Sequence, residues 1–333
     1  MTVKPFPVVS RIAGTGRAIP ERVLTNADLE KMVETSDEWI TTRTGIKTRY
    51  IAEPGQPLSS LAIEAGRKAL DDAGMKAKEL DLIIVGTVTG DMKFPAASNF
   101  VQAALGATNA ASFDIQAACS GFIYALEMGD SLIRGGRAEN VLVIGAEILT
   151  SMVNWTDRST CVLFGDGAGA AVLTPATGNG SGVLSTYTGS NGELSHLLFS
   201  KGGGTLAPGK DRDIPAEEFT IHMAGNEVFK HAVKTMGDAA VTGLKRAGLT
   251  SEDLDLLIPH QANIRIIDAT VKRLKLPENK VYINVDRYGN TSSASIPIAF
   301  DEARREGIAK EGDVLLFVAF GGGFTWGSAA IRL

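Results

Sequence analysis

Short runs rich in Val and Ile recur along the chain, among them LDLIIVGTV from Leu80, SFDIQA from Ser112, NVLVIGAE from Asn140 and GAAVLT from Gly169. Most are apolar at successive positions instead of alternating, the pattern of strands covered by helices on both faces. Between them Leu61 to Ala73 and Cys119 to Arg134 are long enough for helices, closed by Gly74 and Gly135.

The pattern occurs twice. AGMKAKELDLII, Ala73 to Ile84, matches AGLTSEDLDLLI, Ala247 to Ile258, at an offset of 174. SFDIQAACSGF from Ser112 aligns with NVDRYGNTSSA from Asn284 at 172, and VLVIGAE from Val141 with VLLFVAF from Val314 at 173. FGDGAGAAVL at Phe164 resembles the segment from Phe320 at 156, so the first half carries about sixteen extra residues, at about 148–163. A long-period repeat of this kind fixes architecture before any motif is read. It predicts two related α/β halves, 1–176 and 177–333, each a mixed sheet sandwiched by helices and packed on the other.

Composition narrows the function. The 333 residues are 44% hydrophobic and 21% charged, ordinary for a globular chain, and a net charge of -5 argues against a nucleic-acid binder. No apolar run reaches membrane-spanning length and Met1 to Gly16 lacks a leader pattern, so neither span nor signal is expected. The two cysteines, Cys119 and Cys161, are too few for a disulfide framework and point to a reducing, cytoplasmic setting. No Cys/His spacing suggests a metal. GTGRAI at Gly14 and GDGAGA at Gly165 do not open helices onto a pyrophosphate and read as tight turns and close packing.

Ligands of such sheets sit beyond strand carboxyl ends. Cys119 follows a strand and opens a helix, where free N–H groups and the dipole predict a lowered thiol pKa. His260 ends the strand LDLLIP, and Asn290 with Thr291 falls at the second-half junction equivalent to that of Cys119. A thiolate can accept an acyl group, while an imidazole N–H and an amide N–H can hold a second thioester carbonyl as it becomes an enolate. Backbone N–H groups of Cys119 and of Gly322, in the Gly321–Gly323 turn, suit an oxyanion hole.

The strings SDEWITTRTGI, AACSGF, FGDGAGAAVL, HMAGNEVFK, PHQANIRII, YGNTSSASIP and AFGGGFTWGSA, spread over nearly the whole chain, resemble the thiolase-fold condensing enzymes, specifically the β-ketoacyl-acyl-carrier-protein synthase III family. That resemblance implies a duplicated αβαβα fold with two five-stranded sheets. It implies a Cys119, His260, Asn290 triad that condenses an acyl-CoA primer with malonyl-acyl-carrier-protein, releasing carbon dioxide and CoA and starting fatty-acid synthesis. The CoA thioester is then a substrate, and no cofactor is implied. Elongating relatives resemble a Cys-His-His set, and His196, His222 and His231 lie in no comparable motif. Cys161, the sole candidate for a thiolase-type second cysteine, reads as core.

By the same resemblance Trp39, Arg43 and Arg158 clasp the adenine end of CoA and Asn263 bonds the pantetheine arm or orients His260. Read as residues alone, Thr35 to Glu38 cap a helix whose Trp39 packs inward, and Asn263 caps the next. Arg265, Lys272 and Lys275, with Arg273 beside them and Lys230 added, form either a solvated face or a docking stripe for an acidic carrier protein. Phe94 is either a local anchor or, as the family implies, the residue that crosses a homodimer interface to close the partner's acyl pocket. Two other readings stay open: acyl transfer or hydrolysis on the same cysteine without condensation, and a carrier-binding module with a dead site.

Overall fold

The computed structural model describes residues 9–176, 180–209 and 214–333. Its main strands are β1 Ser10–Ala18, β2 Leu82–Gly86, β3 Ala111–Ile115, β4 Val141–Ile148, β5 Asp166–Pro175, β6 Gly182–Ser190, β7 Leu256–Pro259, β8 Val314–Gly321 and β9 Thr325–Arg332. Its main helices are α1 Asp37–Thr44, α2 Leu58–Ala73, α3 Ala97–Leu105, α4 Gly121–Arg134, α5 Gly225–Arg246, α6 Ile264–Leu274 and α7 Ser295–Arg305. Among the described residues no helix is long and apolar enough to cross a membrane.

One sheet runs β1-β5-β4-β2-β3 and the other β6-β9-β8-β7. Both are mixed: β2 pairs in parallel with β3 and β4, and β7 in parallel with β8, while the remaining neighbours are antiparallel. The strand order of the two sheets corresponds, as duplication requires. The junction expected at 176/177 falls against residues 177–179, outside the described residues.

The apolar runs are explained by five layers. On β4, Val141 and Val143 face inward to α4 and α7, while Leu142 and Ile144 face outward to α2. On β8, Leu315 and Phe317 join that same inner core through Phe122 and Phe300, while Leu316 and Val318 face α5. With helices on both faces, no strand position in the middle of either sheet can be polar without a partner. The glycine-rich strings serve this packing instead of forming turns. Gly14 lies in β1 so close to α2 that a Cβ would stand 2.4 Å from Ala73 N, and Gly169 in β5 would meet Ile298 N at 2.6 Å.

The family resemblance implies five strands per sheet; the second has four among its described residues, plus one bridge, Leu257 to Val281, where β3 would have its counterpart. The segment after it, aligned with SFDIQA, turns into the short helix Val285–Tyr288. Gln261 Oε1 accepts the N–H groups of Asn284 (3.0 Å) and Val285 (3.2 Å), which a ladder would otherwise have used. The two halves are tied by ion pairs: Arg17 of β1 meets Asp301 of α7 at 2.6 Å, and Arg304 and Arg305 of α7 meet Asp72 of α2 at 2.8 and 2.9 Å.

Residues 149–164, which largely coincide with the insertion expected at about 148–163, pack against the ladder Arg22–Thr25 with Thr48–Ile51, α1 and Ile267 to form a fourth apolar cluster. Cys161 is fully buried there. This cap roofs the ends of β2, β4, β7 and β8.

Candidate active site

Beneath the cap lies a cavity of about 1390 Å³. Cys119, His260, Asn290 and the Gly321–Gly323 turn all contribute to its wall, as do Trp39, Arg43, Phe94, Asn263 and Arg265. Side chains from both halves therefore meet in one space.

Cys119 sits in a 3-10 turn, Ala118–Ser120, and α4 begins only at Gly121. Ala118 has φ 44, and the second half repeats the device: Ser292 has φ 48 and starts the turn Ser292–Ala294 that leads into α7. The structural counterpart of Cys119 is thus Ser293, at an offset of 174, and not Asn290 or Thr291. The alignment of sequences at 172 had slipped by two residues because the intervening strand is not repeated. Asn290 instead bridges to Phe164 of the cap, its N–H donating to Leu163 O at 2.8 Å. Its Oδ1 accepts the Ser292 N–H at 2.9 Å, which assigns the Nδ2 end to the cavity side.

The expected thiolate is not preformed. Burial, assisted by the Glu147 carboxylate and opposed by the Ser292 hydroxyl, pushes the Cys119 thiol up to about 12. The helix end works the other way, but the desolvation of a thiolate in this wall is the larger effect. Gly321 crosses directly behind the nucleophile, where a Cβ would stand 2.6 Å from Cys119 N, and Thr325 Oγ1 donates to Ala117 O at 2.8 Å.

His260 leaves β7 with its N–H donated to Val318 O at 2.8 Å. It is 1% exposed, and burial lowers the imidazole to about 3, so the ring is neutral. Its Nδ1 lies 2.6 Å from Ser295 Oγ, which also accepts the Gln261 N–H at 3.3 Å. Among the described residues Nδ1 is the acceptor within reach of the Ser295 hydroxyl. The hydroxyl therefore donates to Nδ1, and this network assigns the ring hydrogen to Nε2. Ser295 was not foreseen; the run of polar residues in YGNTSSAS, at a junction that had to be buried, was its signal.

Further from the sulfur, the guanidinium carbons of Arg43 and Arg158 lie 4.9 and 5.3 Å from the Trp39 ring centroid. Arg158 also donates to Glu34 O at 2.9 Å. Ser36 caps α1 through Trp39 N, so capping and cavity lining coexist. Asn263 caps α6, its Oδ1 accepting the Arg265 N–H at 2.9 Å. Arg265 stacks over Phe229 at 4.9 Å. Arg273 is paired with Asp238 and Lys230 with Glu227, while Lys272 and Lys275 are exposed. Phe94 is 84% exposed, far too open for a local anchor.

Comparison with known proteins identifies the family. Residues 113–192 match the family model described as 3-oxoacyl-[acyl-carrier-protein (ACP)] synthase III, and 244–333 that of its C-terminal region. A β-ketoacyl-[acyl-carrier-protein] synthase III of Caldanaerobacter subterraneus subsp. tengcongensis is 56% identical over 325 residues, covering 98% of each chain. One from Roseiflexus castenholzii is 53% identical, covering 96% of this chain and 97% of its own. The crystal structure of 3-oxoacyl-[acyl-carrier-protein] synthase III from Aquifex aeolicus superposes with a TM-score of 0.90 at 49% identity, over 97% of this chain and 100% of that one. The chain belongs to the β-ketoacyl-acyl-carrier-protein synthase III family of thiolase-fold condensing acyltransferases.

Proposed function

We propose that the chain condenses an acyl-CoA primer, acetyl-CoA in the simplest case, with malonyl-acyl-carrier-protein to give 3-oxoacyl-acyl-carrier-protein, carbon dioxide and CoA. Cys119 accepts the acyl group, with its N–H and that of Gly322 receiving the oxyanion as the thioester carbonyl becomes tetrahedral. CoA leaves and malonyl thioester enters. His260 Nε2–H and Asn290 Nδ2–H donate to its carbonyl, so that loss of carbon dioxide leaves a stabilised enolate rather than a free carbanion. The enolate carbon attacks the acyl-cysteine carbonyl, and the sulfur departs.

The observation that carries this reading is the pair of donors with no proton to accept. Ser295 fixes Nε2 as N–H, Ser292 fixes Nδ2 as the outward end of Asn290, and both residues line the space that holds the sulfur.

Trp39, Arg43 and Arg158 bind the adenine end of CoA at the mouth. A ring inserted between Trp39 and Arg158 needs two contact gaps of roughly 3.5 Å each, so Arg158 must give up Glu34 O as CoA enters. Asn263 stands between mouth and floor, beside the pantetheine path. Arg265, Lys272, Arg273 and Lys230 receive the acidic carrier protein, which replaces Asp238 and Glu227 as partners of Arg273 and Lys230. The enzyme acts as a homodimer, with Phe94 reaching the partner's acyl pocket, in the reducing cytoplasm where both cysteines stay free.

Intact-mass measurement after incubation with acetyl-CoA tests the chemistry. The wild type gains one acyl group, Cys119→Ser gains none, and His260→Ala and Asn290→Ala acylate but form no 3-oxoacyl product. An unmodified wild-type Cys119 rejects the reading.

A further inference from the structure

The acylation step needs a base, and His260 is not equipped to be one. Its Nδ1 is occupied by the Ser295 hydroxyl and its Nε2 already carries hydrogen. Another acceptor stands behind the cavity wall. Glu147 ends the otherwise apolar run VLVIGAE of β4 and is fully buried. Among the described residues it has no ion-pair partner, and the groups facing it are neutral, the Cys119 thiol included. From the loop after β2 these are the Thr87 hydroxyl, the Val88 N–H and the Thr89 hydroxyl; from the turn before α7 they are the hydroxyls of Ser292 and Ser293.

Counting hydrogens shows what that pocket holds. Oε2 receives Thr89 Oγ1 at 2.6 Å, Thr87 Oγ1 at 3.2 Å and Val88 N at 3.2 Å, which leaves it no room for a proton. Oε1 faces Ser292 Oγ at 3.2 Å and Ser293 Oγ at 3.1 Å, and shares the Val88 N–H at 3.3 Å. Ser293 Oγ also lies 2.7 Å from Gly86 O, a carbonyl that can only accept. The one hydrogen of Ser293 is therefore spent on Gly86, and its oxygen turns a lone pair towards Oε1. A proton on Oε1 completes this arrangement, and an ionised Oε1 leaves two oxygens facing without a hydrogen. Burial accordingly raises the Glu147 carboxyl to about 7. The turns that carry Ser292 and Cys119 pack on each other and both residues line the cavity, and the Ser292 hydroxyl is the group that opposes the upward push on the Cys119 thiol.

We propose that Glu147 is the proton acceptor for acylation, acting on Cys119 through the Ser292 hydroxyl. As the sulfur attacks the thioester carbonyl, its proton passes to Ser292 Oγ while the proton of Ser292 passes to Glu147 Oε1. The S–C bond forms, the tetrahedral oxyanion collapses, and CoA departs as a thiolate that takes its proton from solvent. Glu147 stays neutral, donating to Ser293. When the enolate attacks the acyl-cysteine, the departing Cys119 thiolate recovers the proton along the same path. Glu147 does not touch substrate, so it is a positioning and proton-holding residue and not part of the donor pair that holds the malonyl carbonyl.

This rests on the reading above, and its test separates the two. Acylation by acetyl-CoA and decarboxylation of malonyl-acyl-carrier-protein are measured separately, from pH 5.5 to 8.5, in wild type, Glu147→Gln, Glu147→Asp and Ser292→Ala. Wild-type acylation rises with pH to a plateau, with a midpoint near that of the Glu147 carboxyl. Glu147→Gln loses that limb and acylates roughly tenfold to a thousandfold more slowly, in the range of general-base contributions. Its decarboxylation stays within about threefold of wild type, and Glu147→Asp regains part of the acylation rate. Ser292→Ala, which removes the bridge, reproduces the loss and decides the matter should Glu147→Gln fail to fold. Acylation of the tested variant at the wild-type rate overturns the relay, as does equal loss of both half-reactions. Failure of the wild type itself to acylate at Cys119 overturns the parent reading instead.

Discussion

At the scale of single residues, the site is a set of buried polar groups held in unusual protonation states by what surrounds them. Two of these oppose each other in the pH dependence of stability. Burial lowers His260 to about 3 from 6.5, so the unfolded chain binds a proton there first, and stability is lost as pH falls below about 6.5. Burial raises Glu147 to about 7 from 4.5, so the folded chain holds a proton that the unfolded chain releases, and stability is lost as pH rises from about 4.5 to about 7. Between about 4.5 and 6.5 these two slopes cancel. Glu147→Gln removes one of them. Urea denaturation of wild type and variant across this window should show their stability difference moving in the variant's favour by up to about 1.4 kcal/mol per pH unit as pH rises. A constant difference would mean that Glu147 is ionised in the folded state.

Elements matter here by how closely they approach. Cys119 stands in a turn with the end of β8 directly behind it, and Gly321 admits that contact only because it has no Cβ. Gly321→Ala places a methyl group 2.6 Å from Cys119 N and 2.9 Å from Cys119 Cβ, so the turn that carries the nucleophile must shift. Overpacking of this kind costs about 1–3 kcal/mol, and here the displaced group is the nucleophile. The expected result is a folded protein, less stable by that amount in denaturant, whose Cys119 acylates at least tenfold more slowly in the intact-mass assay. The same element logic corrected the sequence alignment. The turns at Ala118 and Ser292 are equivalent in backbone conformation, although the residues between each and its preceding strand differ in fold.

For the whole molecule, the open feature is the edge of the first sheet. β3 is the last strand in the order β1-β5-β4-β2-β3, its outer ladder unpaired among the described residues, and Phe113 on it is 37% exposed. Met92 and Phe94 nearby are 53% and 84% exposed. An uncovered strand edge flanked by large apolar side chains is a pairing surface, and it is where the proposed homodimer would form. Phe113→Lys places a charge on that edge without altering the cavity wall. Sedimentation should show a dimer for the wild type and a shift towards monomer for the variant; a wild-type monomer at micromolar concentration would remove the assignment.

Much of this protein was legible before any coordinates. Apolar strands without alternation required helices on both faces, and the repeat required two sheets in the same order, because both follow from local pattern and from copying of one unit. Cys119, His260 and the glycine turn were legible because each sits at a strand end, a position that the pattern itself marks. The rest depended on tertiary structure. Protonation was decided by burial that no local pattern records, so the sequence placed the Cys119 thiol low where its surroundings drive it high. That the second sheet has four strands among the described residues follows from Gln261, whose side chain takes the N–H groups a ladder needs. Glu147 and Ser292 lie 145 residues apart, and only the packing of one half on the other brings the carboxylate, the hydroxyl and the sulfur together.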